Sequence, residues 1–285
     1  MPIRSRAHVA LPISIALTAA ALGCGGTTAS EPAASASSAA TRAPVAQSAH
    51  GAVKLFGEAL GDVPMTAAQR AQIEQLATEA EARHAGVRTA HQDLALALAA
   101  QVQTGTIDRA ALGPKIDAVS AAMAASQPAD HAGLEKLHAM LGPDQRSAFV
   151  DALKARFHDH AAEARGHHGM RDWAQELKLS DDQRTQIEAA LKQHFRAAGP
   201  EQGDAQRSMG EKRRAEKWLD AFKQDRFVID DVAPAQGNQG QKAIDWFLGV
   251  AEAALPVLTP EQRAMAAQKI RTRAEQSEGT GPMLP

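Results

Sequence analysis

The chain contains no tyrosine, and aromatic residues make up only 4% of its 285 positions. Few rings are available to stack on bases, and a formal net charge of −2 offers no basic field for nucleic acid. A single cysteine, Cys24, excludes any disulfide within the chain. Strand formers are scarce, whereas alanine and leucine dominate an apolar content of 44%. That composition favours helices packed through small side chains, so the fold class expected is all-α. No Gly-rich phosphate loop and no convergent set of acid, base and nucleophile can be read along the chain, so no enzyme is expected.

The longest apolar run, Leu11 to Leu22, is about a dozen residues and too short to span a bilayer comfortably. It follows Arg4 and Arg6 and ends in Ala21-Leu22-Gly23-Cys24, the pattern of an export leader over residues 1–23. A lone Cys closing such a leader resembles a bacterial lipobox, although Leu22 stands two rather than three places before it. Lipidation at Cys24 is expected, the alternative being an ordinary secretory leader cut nearby. Either route puts the mature chain outside the cytoplasm. Residues 24–52, rich in Ala, Ser, Thr and Pro, lack the apolar surface to offset their chain entropy and read as a flexible linker.

One short pattern recurs four times: MTAAQR (65–70), LGPDQR (141–146), LSDDQR (179–184) and LTPEQR (258–263). Each reads as a helix start. In the last copy Leu258 precedes the helix, Thr259 is its N-cap and Gln262 the third helical residue, which makes a capping box. Met65-Thr66-Gln69 and Leu179-Ser180-Gln183 fit the same scheme. Leu141 and Gln145 fit it with Gly142 in place of the hydroxyl, a tolerated cap that cannot complete the box. Good capping alone does not explain the Arg that follows every Gln, because a cation near a helix N-terminus is mildly unfavourable. Spacing adds a second signal: Gln69 to Gln183 is 114 residues and Gln145 to Gln262 is 117. That is a tandem duplication of a two-motif module, with a first module at 53–165, a second at 166–275 and a disordered tail at 276–285.

The segments MTAAQRAQIEQL, LSDDQRTQIEAAL and LTPEQRA resemble the Spy/CpxP family with its LTxxQ motif, over roughly residues 55–275. The resemblance implies elongated helical hairpins or bundles and a periplasmic protein of the envelope stress response. It also implies either an ATP-independent chaperone that binds unfolded clients on a helical surface, or a regulator bound to the periplasmic domain of a sensor kinase. Family members form dimers, so either a homodimer or a pseudo-dimer within one chain is implied. A structural envelope lipoprotein is the third alternative.

Helical spacing places Ile73, Ala77, Ala80, His84, Val87, His91, Leu94 and Leu98 on one seam of a helix over about 67–102. Partner helices are expected over 107–125 and 142–164, with Ile116, Val119, Met123, Phe149, Leu153 and Phe157 inward. In the second module the inward set is Ile187, Leu191, Phe195, Trp218, Leu219, Phe222, Ile244, Phe247, Leu248, Ala251 and Leu255, with Trp246 beside Phe247. Residues 225–230 read as an extended connector. These stripes read as core, or alternatively as an exposed client groove. On the mixed-charge stretch, Glu211–Arg214 and Asp220–Lys223 can pair at i, i+3.

His158, His160, Glu163, His167 and His168 form the only histidine-rich stretch. On a continuous helix His160, Glu163 and His167 share a face, where two of them could hold zinc, nickel or copper, and the protein would then be a metal-responsive regulatory adaptor of an envelope stress sensor. The alternative is a solvated hinge between modules. No cofactor is required by anything else in the sequence.

Overall fold

The computed structural model describes residues 40–166, 169–197, 204–232 and 239–276. The fold is all-α. Ten helices are described: α1 (Gly51–Gly61), α2 (Ala67–Thr104), α3 (Arg109–Met140), α4 (Pro143–Gly166), α5 (Gly169–Glu176), α6 (Asp181–Ala197), α7 (Asp204–Phe222), α8 (Ile229–Val232), α9 (Gln239–Ala254) and α10 (Pro260–Gln276). Each of the four motif copies stands at the head of a helix, namely α2, α4, α6 and α10.

Helix α2 runs for 38 residues from a complete Thr66/Gln69 capping box to Gly105. Gly105 takes the left-handed conformation (φ 87°) that glycine adopts without strain, and its N–H donates to the Gln101 and Val102 carbonyls. The chain then reverses, and the Asp108 side chain caps α3 by accepting from the Ala111 N–H. The partner helix expected over 107–125 instead continues to Met140, through Pro114 and Pro128. Tertiary contacts past Pro128 outweigh the lost backbone bond there: Asp130 reaches Arg83 and His84 on α2, and Leu137 is buried.

Two apolar clusters hold the helices. The first gathers the 45–49 segment, α1, the start of α2, the end of α3, α4, and Leu219, Phe222, Phe227 and Ile229 around α7 and α8. Phe149 and Phe222 are fully buried in it, their ring centres 5.3 Å apart. The second cluster gathers the end of α2, the start of α3, and residues of α5, α9 and α10. Both clusters draw on residues from either side of 165/166. The α2–α3 turn lies with the second half, and the α7–α8 turn lies with the first. Arg109 in α3 reinforces the exchange by donating to Glu252 in α9 (2.6 and 2.9 Å).

Four expectations need correction. The linker does not extend to residue 52: from Thr41 the chain is packed, with Val45, Ala46 and Ala49 buried. Residues 24–39 lie outside the described residues. Met123 and Phe157, expected inward, are 39% and 44% exposed, because each lies beyond the reach of either cluster. Asp220 and Lys223 do not pair with each other; they reach across to Lys154 and Asp151 on α4. The connector at 225–230 ends in the single turn of α8. The Phe195 side chain and those of Glu211 and Arg214 lie outside the described residues.

Candidate functional site

The motif glutamines do more than cap. Gln69 Oε1 accepts from the Thr66 N–H (3.0 Å), and Gln145 Oε1 accepts from the Gly142 N–H (2.9 Å). Their amides then face each other: Gln69 Nε2 donates to Gln145 Oε1 (2.9 Å), and Gln145 Nε2 returns the bond to Gln69 Oε1 (3.2 Å). The second pair is built the same way. Gln183 Nε2 donates to Gln262 Oε1 (2.8 Å), and the reverse bond is 3.1 Å.

Each amide also donates to the carbonyl just ahead of the opposite motif's apolar residue. Gln69 reaches Met140 (2.8 Å), Gln145 reaches Pro64 (2.6 Å), Gln183 reaches Val257 (2.9 Å) and Gln262 reaches Lys178 (3.5 Å), with Leu177 closer at 3.2 Å. A pair of motifs therefore clamps two helix starts together and consumes the polar capacity of both side-chain amides. The apolar residue is sunk beside each clamp: Met65, Leu141 and Leu258 are buried and Leu179 half-buried.

The conserved pattern of an Arg after each Gln within this chain also has a physical account. In the second and fourth copies it meets the exchanged turn. Arg146, 6% exposed, donates to Asp225 (2.7 Å) just past α7. Its Nη1 lies 2.9 Å from His138 Nε2, which is itself 2.8 Å from the Gln224 carbonyl; that nitrogen serves one of the two at a time. Arg263 packs on Gly105, where any Cβ would run into its guanidinium. In the first copy Arg70 donates to the carbonyls of Ala43 (2.5 Å) and Thr41 (2.6 Å). In the third copy Arg184 pairs only with the neighbouring, exposed Asp181.

Two apolar grooves lie beside the clamps. The first, of about 290 Å³, is bounded by α1, α2 and α3 and lined by Ile73, Ala77, Gly133, Leu134 and Leu137 among others. The second, of about 670 Å³, is bounded by α5, α6, α9 and α10, and its walls include Trp173, Ile187, Leu191, Val250, Ala251 and Ala254. The 114- and 117-residue offsets map the walls of one onto the other: Ile73 to Ile187, Ala77 to Leu191, Gly133 to Val250, Leu134 to Ala251 and Leu137 to Ala254. They are one site in two states of filling.

In the first half, residues 41–46 cross the site as a strap without helix, which turns at Ala46 (φ 53°). Thr41 and Met65 exchange backbone bonds (both 3.0 Å), and Glu74 accepts from the Ala46 N–H (3.0 Å). Further along, Glu81 accepts from the His50 N–H (2.8 Å). Gly57 on α1 allows the strap this close, because a Cβ there would meet the Val45 carbonyl. Phe149 is fully buried behind the site, its ring centre 5.9 Å from that of Phe56, which lines it. Its counterpart in the second half is Ala266, and no described segment lies across that site as the strap does.

Among the described residues no group of His, Cys, Asp and Glu is arranged to hold a metal ion. The residues proposed from sequence for that purpose lie elsewhere: His167 and His168, and the side chains of His158, His160 and Glu163, are outside the described residues. So is Cys24. Among the described residues no helix is long and apolar enough to cross a membrane. The sequence reading missed Glu74, Glu188 and the Phe149/Ala266 exchange. The signal was present, since the offsets that relate the motifs relate these positions too.

No curated protein and no solved structure matches the chain. Over residues 165–270 the chain matches the family model described as LTXXQ motif family protein, the signature of the Spy/CpxP type.

Proposed function

We propose that the protein is an ATP-independent, chaperone-like protein of the bacterial envelope that binds unfolded or misfolded clients. One observation carries this reading. The segment matching the family contains an open groove of about 670 Å³ with mostly apolar walls, and Trp246 on its rim is 37% exposed. Apolar concavities of this kind bind apolar surface of a partner with little geometric demand, which suits weak and general client capture. No residue set suited to covalent or acid–base chemistry lines it, in keeping with a non-enzymatic role. Proteins of this family are typically periplasmic, and an anchor at Cys24 would hold the body at the membrane surface.

The experiment is suppression of aggregation of an unrelated unfolding protein, at near-equimolar ratio and without nucleotide. Protection by the wild-type chain is expected, and its reduction by Ala266→Phe, which fills the groove from its floor. If the wild type leaves aggregation unchanged, the reading is wrong.

A further inference from the structure

The two grooves being one site, the filled copy shows what the open copy is shaped to hold. The strap at 41–46 is bound through its backbone. Arg70 takes two of its carbonyls and Glu74 takes one of its N–H groups, while Val45 is pressed into the apolar floor, 1% exposed. Arg70 and Glu74 lie one turn apart on α2, so their heads point to the same side. The same pair recurs in α6 as Arg184 and Glu188, and both line the open groove. Resting on that reading of the groove as the client site, we infer that it binds an extended segment of an unfolded polypeptide, with Arg184 on its carbonyls, Glu188 on an amide N–H and an apolar side chain in the pocket between α6 and α9.

The chemistry fits a backbone rather than a charged ligand. One cation and one anion at this spacing match the alternating acceptors and donors of an extended chain and leave no net charge to satisfy. Both groups are available. Among the described residues, Arg184 and Glu188 are held only by surface pairs with Asp181 and Lys192 on their own helix, and the four side chains are 53–92% exposed. Exchanging such pairs costs little. The chain does not supply this strap from the equivalent place. Adding the 114-residue offset to 41–46 gives 155–160, which is helical within α4. Nor does a second copy have its strap free, since Val45 and Ala46 are buried in their own first half. Among the described residues no segment is left to fill the groove, and the occupant we commit to is an incoming segment of another, unfolded protein. The larger volume of this groove, about 670 Å³ against about 290 Å³, admits side chains larger than valine.

The test uses the full chain and a fluorescently labelled peptide of its own residues 40–50, ATRAPVAQSAH, followed by anisotropy and by the emission of Trp173 and Trp246 in the groove wall. Saturable binding is expected. Arg184→Ala with Glu188→Gln should weaken it by about tenfold or more, the loss of charge-assisted hydrogen bonds to the backbone. Ala266→Phe should abolish it while the helical circular dichroism stays intact. Loss in Ala266→Phe with no change in the double variant overturns the backbone clamp but leaves the client groove standing. Absence of peptide binding by a wild type that still suppresses aggregation overturns this inference and not the chaperone reading. Binding that emerges only after residues 277–285 are deleted overturns it in favour of the chain's own tail as occupant.

Discussion

Residues 41–50 and 155–164 stand at matching distances ahead of the first and third motifs, yet they behave differently. The first stretch crosses a groove that it partly fills and turns at 46–49; the second is helix. The volumes differ in the same sense, about 290 Å³ in one half and about 670 Å³ in the other. A duplicated unit has thus been divided between two tasks. One copy keeps only the smaller groove, narrowed by the strap, and the other keeps the larger apolar one. Stability and binding make opposite demands on a groove, and duplication lets one chain meet both.

The comparison can be broken most forcefully at Phe149. Its side chain is fully buried against Phe56 and Phe222. Phe149→Ala should cost about 3–5 kcal/mol in urea-monitored unfolding. It should also open the first groove toward the state of the second. Ala266→Phe, the reverse exchange, should leave stability nearly unchanged or raise it. If the two substitutions cost the same, the halves are not in different states of filling.

The glutamine clamps come next. Gln69→Ala should cost about 1–3 kcal/mol by removing the partner of the Met140 carbonyl and of the Thr66 N–H, while Gln145 keeps Pro64 and Gly142. In a double-mutant cycle Gln69→Ala and Gln145→Ala should show coupling of roughly 0.5–3 kcal/mol, as should Gln183→Ala with Gln262→Ala. Crossing the pairs, Gln69→Ala with Gln183→Ala, should give simple additivity. Coupling in the crossed pair would mean that the clamps are not independent units.

These clamps show where sequence reasoning reached and where it stopped. The capping role of Thr66, Ser180 and Thr259 was readable because a cap is a local device, complete within four residues. The facing of Gln69 to Gln145 was not, since it depends on how two helix starts meet 76 residues apart. The long helices were readable from their apolar period, but α3 outran its expected end because Asp130 and Leu137 find partners that no local rule reveals. The strap was missed for a related reason. Its composition is that of a linker, and only the prior existence of a groove, with Arg70, Glu74 and Gly57 in place, makes Val45 and Ala46 worth ordering. The exchange of turns between halves, with Arg146 on Asp225 and Arg263 on Gly105, left no trace but an arginine in an electrostatically awkward place.

The second motif is the one copy without a hydroxyl cap, and restoring it sharpens the comparison among the four. Gly142 does not have the positive φ that would demand glycine, and a Cβ there meets nothing closer than Gln145 Oε1 at 3.7 Å. Gly142→Ser should therefore complete the box and stabilise the chain by about a few tenths of a kcal/mol. Thermal unfolding would show it, and a destabilised variant would mean that the Gln145 carboxamide cannot serve both Gln69 and a full cap.

The smallest effect expected separates the two ends of α2 by pH. Toward the first half, Asp130 is half-buried. Burial raises the pKa of its carboxyl, but the His84 hydrogen bond and charge, with Ser126 and Arg83, outweigh this and hold it below the ordinary value. A depressed acid stabilises the fold above its unfolded pKa of about 3.8, and this contribution is lost as pH falls through the folded value. Toward the second half, His91 stands by Trp173, Phe247 and Arg273, and burial lowers its pKa from 6.5. The folded chain therefore resists a proton that the unfolded chain accepts, and stability declines as pH drops from about 6.5 to the folded value, then levels off. His91→Gln should flatten the stability profile in that upper window alone, and Asp130→Asn should alter it only in acid near and below pH 4. Hydrogen exchange resolved along the chain would locate the two losses. Should His91→Gln change the acid limb instead, the two ends of α2 are not separate environments, and the division between a closed half and an open one loses its electrostatic counterpart.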